Sequence, residues 1–158
     1  RGYCMSDDEL RKLVSCVHLV DIVTVSVEGR IDINGGVSEG IDGEGEPPFS
    51  FETAVSVRDD TQGLMGSFTA TFDRGPTSSA PATHMKINVA VFYGLRDWDR
   101  EDLGQDLLRG FAEKVALHQA LPFLREAFIT LAGRLRVPAP VLPLMPQNGM
   151  GLGSLAKD

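Results

Sequence analysis

LPFLREAFITLAGRLRVPAPVLPLMP, residues 121–146, reads as an amphipathic helix that stops at a proline-punctuated apolar tail. Pro122 suits the first turn of a helix, where its missing N–H would have had no partner and its fixed φ is already helical. Leu124, Phe128, Leu131 and Leu135 follow at steps of four, three and four, which places them on one stripe of the helix surface. Arg134 and Arg136 fall in the last turn, where a cation complements the dipole, and Pro138 disfavours helical dihedrals at Val137. Beyond it, prolines alternate with Val141, Leu142, Leu144 and Met145, so the tail has lost several backbone donors and reads as polyproline-like or edge-strand in character.

Working towards the N-terminus, Asp99 is a plausible N-cap for a preceding helix with Leu103, Leu107, Phe111 and Val115 at steps of four, widened by Leu108 and Ala112. Before it come four strand-like segments. Met85 to Leu95 sets Met85, Ile87, Val89, Val91 and Tyr93 on one face and Lys86, Asn88, Ala90 and Phe92 on the other. Leu64 to Asp73 alternates Leu64, Phe68 and Phe72 against Met65, Thr69 and Thr71, and a turn at 59–63 joins it to the Phe49 to Arg58 strand as a hairpin. The Val- and Ile-rich run from Cys16 to Ile33 predicts one long strand bent near Gly29, with Val23, Val25 and Val27 on one side. A Ser6-capped short helix occupies the first fifteen residues. Acidic, glycine-rich 34–48 and the 74–83 connection read as flexible loops, and 147–158 as a disordered tail. The sum is a single α+β domain over 16–146, a four-stranded antiparallel sheet with C-terminal helices packed on one face.

Composition narrows the function. A formal charge of −7 lacks the basic patch that nucleic-acid binding needs. No run approaches a membrane span, and the opening RGYCMSDDELRK has no apolar core with a cleavage site, so an unexported cytoplasmic protein is expected; Arg1 reads as a trimmed or engineered start. Cys4 and Cys16 lack redox-motif spacing, and His18, His84 and His118 lie far from one another, without metal-ligand spacing. The Asp32 to Asn34 segment hints at a calcium loop, but Gly43 stands where the bidentate Glu would be needed. Glycines at 149–153 follow a proline tail rather than a strand and open no helix. The sequence therefore predicts neither an enzyme, a cofactor nor a metal site. What remains is apolar surface: part of the Met85 to Leu95 strand, with large side chains on both faces, should be covered by a partner subunit or stay exposed.

The segment also resembles the signature of the SecB family of bacterial export chaperones, in which a proline–aromatic pair leads into an Arg-Glu-Ala helix and a Pro-rich apolar stretch. Pro122, Phe123, Arg125, Glu126, Ala127, Leu131, Pro138, Leu142 and Pro143 carry the likeness, and the order of elements agrees from about Val17 onward. The resemblance implies a dimer-of-dimers homo-oligomer that binds unfolded, aromatic-rich client segments in grooves between sheet and helices, without nucleotide. It also allows a partner antitoxin. The alternative from another class is a scaffold or antitoxin-like regulator that binds one specific protein partner through the same apolar sheet surface. Client contact is expected at Phe49, Phe51, Met85, Phe92 and Tyr93. Thr24, Lys86 and Asn88 stand where an acid or an apolar residue would dock the SecA motor's tail, with Glu28 alone in keeping, which argues against a SecA partnership.

Overall fold

The computed structural model describes residues 6–34, 49–59, 62–77 and 80–142. All but Asn34 of the expected 34–48 loop, the tail over 147–158 and the motif residue Pro143 lie outside these residues. Helix α1, Asp7–Cys16, starts at a capping box in which Ser6 accepts from the Glu9 amide while the Glu9 side chain accepts from the Ser6 amide. It buries Leu10 and Leu13.

Four antiparallel strands follow: β1 Val17–Asp32, β2 Phe49–Arg58, β3 Gly63–Arg74 and β4 Ala82–Leu95, in the spatial order β1-β4-β3-β2. Period-two alternation in β3 and β4 separates the faces as the sequence predicts. Leu64, Phe68, Phe72, Met85, Ile87, Val89, Val91 and Tyr93 are buried on the helix side. Lys86 is exposed and Asn88 half-buried on the far side, where the Asn88 amide donates to Ser67 Oγ (2.8 Å) and Thr69 Oγ1 (2.7 Å). Three strong hydrogen-bonding groups thus satisfy one another at the middle of the far face.

Strand β1 departs from the expected bend. The register with β4 slips between Leu19 and Asp21 and again between Thr24 and Ser26, so Val20 and Val25 are unpaired, while pairing runs unbroken through Gly29. Each extra residue reverses the alternation, so Val23 pairs with Ala90 on the far face while Val27 pairs with Ile87 on the helix face. Gly29 has another role: a β-carbon there would meet methyls of Leu131 and Leu135 at 2.9 Å, so its bareness lets the last turns of the C-terminal helix approach the sheet.

The helical half is also joined differently from the sequence reading. Asp99 caps a 3₁₀ turn, Arg100–Asp102, through a Glu101 N–H to Asp99 Oδ1 bond of 3.3 Å. Helix α2, Gln105–Phe111, then starts at Gly104 without a side-chain cap. It runs through one π turn, Ala112–Ala116, directly into α3, Leu117–Leu135. Pro122 is therefore inside a helix and not at its start. An interior proline costs about 3 kcal/mol. Leu117, Ala120, Leu121, Leu124, Ala127, Phe128 and Leu131 form an unbroken buried stripe on both sides of it, and ending the helix there would expose that stripe. The stop at the other end is as expected, with Arg136 in the left-handed region at φ 56° and Val137 N–H donating to Ala132 C=O (3.1 Å). Val137 and Leu142 are buried while Val141 is exposed, so the start of the proline tail docks on the core.

Candidate functional site

The five residues expected to contact a client fall in three environments. Met85 and Tyr93 are buried between sheet and helices, and the Tyr93 hydroxyl donates to Gln119 Oε1 of α3. Burial pushes the Tyr93 phenol well above its ordinary range. Phe49 and Phe51 share the helix side of the edge strand β2 and stack on each other at 6.0 Å; Phe49 also meets Phe72 at 5.0 Å and Phe128 edge-on at 5.6 Å. Both are half-buried. Phe92 points to the opposite side of the sheet, beneath the Arg58 guanidinium at 5.3 Å. The structure therefore joins Phe49 with Phe51 and separates them from Phe92, while Met85 and Tyr93 serve the core.

The second face of β4 is less apolar than its sequence suggested. Ala90 is buried among its strand neighbours and Phe92 is half-covered, so the exposed apolar surface lies elsewhere. It lies on the other edge strand. Leu19, Val20, Val23, Val25 and Val27 of β1 are all exposed, with Val20 at 63% and Val25 at 58% at the two bulges. They share one edge strand but are divided between the two sides of the sheet, Val23 on the far face and Val27 on the helix face, and so many exposed aliphatics on one strand exceed the scattered ones normal on a surface. The sequence showed valine density here but could not show that β1 is an edge strand, because strand order depends on pairings across the whole protein.

On the helix face, where Val27 lies, β1 and α3 enclose a depression of about 200 Å³ lined by Thr24, Val27, Glu126, Ala127, Thr130, Leu131 and Arg134. Its walls are apolar at Val27, Ala127 and Leu131, and its rim is polar at Thr24, Glu126, Thr130 and Arg134. Such a lining accepts an apolar side chain while offering hydrogen bonds to the backbone beside it. Three of its residues, Glu126, Ala127 and Leu131, are among those that carry the SecB likeness. Pro122 and Phe123 lie on the exposed side of α3, Arg125 is half-buried, and Pro138 is exposed just past the helix.

No helix among the described residues is long and apolar enough to cross a membrane. His18 and His118 are exposed, and His84 is engaged by carboxylates, with Nδ1 2.5 Å from Asp73 Oδ1 and Nε2 3.9 Å from Glu28 Oε1.

No family model matches the sequence, and no curated protein matches it either. Solved structures do. The Mycobacterium tuberculosis Rv1957 SecB-like chaperone, in complex with a ChAD peptide from the Rv1956 HigA1 antitoxin, superposes with a TM-score of 0.67 at 15% identity, covering 90% of this protein and 99% of that one. A Streptococcus agalactiae protein of unknown function aligns at a TM-score of 0.43 and 12% identity, over 81% of this protein and 97% of that one. The sheet order, the helix on one face and the first superposition together give this protein a SecB-like fold.

Proposed function

We propose that this protein is an ATP-independent holdase that binds unfolded or aggregation-prone polypeptides along the apolar edge formed by β1 and α3. The observation that carries the reading is the set of exposed aliphatics on edge strand β1, Leu19 to Val27, the last of which lines the β1–α3 depression, on a fold shared with a chaperone whose structure holds an antitoxin peptide. An unfolded segment would place alternate apolar side chains against Val27 and Leu131, with its ordering cost offset by the apolar area removed from water. Phe49 and Phe51 offer a second contact at the far edge and Phe92 a third on the other face. The protein acts in the cytoplasm as a homo-oligomer, a dimer of dimers, in which copies extend the client surface.

The test is light scattering of a denatured client in the presence of the protein. At near-stoichiometric ratio the protein delays aggregation, and a Val20→Lys, Val25→Lys, Val27→Lys triple variant loses most of that delay while keeping its circular dichroism. No delay across several unrelated clients overturns the reading.

The neighbour's antitoxin peptide favours one alternative, in which the same edge serves a single dedicated partner such as an antitoxin. Capture from lysate separates the two: many unfolded proteins support the holdase, one stoichiometric protein the dedicated regulator.

A further inference from the structure

At the end of the sheet opposite the start of β1, an open depression of about 530 Å³ is lined by Arg30, Asp32, Asp73, Arg74, Thr83 and His84 among others. Arg74 closes β3, pairs with Thr83 in register and lays its guanidinium over the Phe72 ring at 5.9 Å. Two of its nitrogens, Nε and Nη2, are shielded from solvent and have no hydrogen-bond acceptor among the described residues. These two atoms form one edge of the guanidinium, where their N–H bonds run parallel and match the two oxygens of one carboxylate. Unpaired buried donors are costly, and donors on a charged group more so. The nearby carboxylates are otherwise engaged: Asp73 faces His84 at 2.5 Å, and Asp32 accepts the Asn34 amide at 3.0 Å.

We propose that this Arg74 edge is a binding site for a peptide carboxylate, supplied either by an acidic side chain or by the free carboxyl end of the peptide. The planar fork beside Phe72 matches a planar anion in two parallel hydrogen bonds once the atoms covering its edge shift to admit the ligand, and the shielded setting strengthens the pair. Arg30 adds a second cation to the same depression and offsets the carboxylates of Asp32 and Asp73 that also line it, so recognition rests on the paired donors of Arg74 rather than on net charge. The site is separate from the β1–α3 depression and does not rest on the holdase reading.

Fluorescence anisotropy on the full-length protein tests it, with three versions of one short fluorescein-labelled apolar peptide: amidated and neutral, amidated with one internal Asp, and neutral with a free C-terminus. A carboxylate-bearing version binds roughly tenfold tighter than the neutral one, and whichever of the two gains identifies the source. The gain disappears in Arg74→Met, which keeps an apolar stem on Phe72, and falls sharply in Arg74→Lys, which keeps the charge without the fork. Equal affinity of all three peptides for the parent protein overturns the proposal. So does a gain that survives in both variants.

Discussion

The Tyr93 hydroxyl donates to the side-chain oxygen of Gln119, joining β4 to α3 through a polar bond inside an otherwise apolar interface. Tyr93→Phe leaves the Gln119 oxygen without that partner, and the expected loss is about 1–2 kcal/mol, read from the urea midpoint at unchanged m-value. Burial of the same hydroxyl predicts an alkaline limit. Burial raises the folded phenol above its ordinary 10.0, so the unfolded state gives up this proton first and binds fewer protons above that pH. Stability from Tyr93 is therefore whole below pH 10 and declines as pH rises through and beyond it. The parent protein should lose more stability than Tyr93→Phe between neutral pH and about pH 11; parallel curves would refute this.

Phe128 is fully buried and meets Phe49 edge-on, with ring planes at 89°. Phe128→Ala is expected to cost about 3–5 kcal/mol, the range for deleting a core aromatic. Phe49→Ala should cost less, since Phe49 is half-buried. Combining the two should give a non-additive loss, measured by a double-mutant cycle in denaturant, because the rings share one contact.

Arg136 takes the left-handed conformation that closes α3, with its N–H donating to Gly133 C=O at 3.3 Å. A residue with a β-carbon is strained there. Arg136→Gly is expected to stabilise the fold by about 0.5–1 kcal/mol, seen as a higher thermal midpoint. Arg136→Val, with a branched side chain at the same dihedrals, should lower it.

The Lys114 ammonium donates to Asp7 at 3.0 Å and holds its carboxyl below the ordinary 3.8, tying α1 to the π turn. A lowered carboxyl contributes stability above its unfolded value and loses it as pH falls through the folded one. Lys114→Met should return the Asp7 titration, followed by carboxyl-carbon NMR, to the usual carboxylate range. Because the pair is exposed, high salt should produce much of the same shift.

Much of this architecture is legible in the sequence because it rests on local periodicity. The two faces of β3 and β4 follow from alternation, and the Leu124, Phe128, Leu131 stripe from helical spacing. What escaped depended on non-local competition. Pro122 looks like a helix start when only its own chemistry is weighed; the stripe that continues through it is held by burial against the sheet. Val23, Val25 and Val27 look like one face, but two bulges set by pairing with β4 divide them. Met85 and Tyr93 looked available to a client because nothing local says which side of β4 the helices cover. The exposure of the β1 valines went unseen for the same reason: the edge position of that strand is a property of the finished sheet.

The two slips in β1 also limit what can be built onto it. Sixteen residues are laid against fourteen of β4, so the outer border of the sheet is divided into pieces and not offered as one straight ladder. The longest uninterrupted piece, Ser26 to Asp32, suffices to seat one extended peptide in a defined register. Bulges of this kind twist an edge away from the straight template that edge-to-edge stacking needs. An edge this rich in bare valine is thus guarded by its own irregularity against the growth of fibres from it.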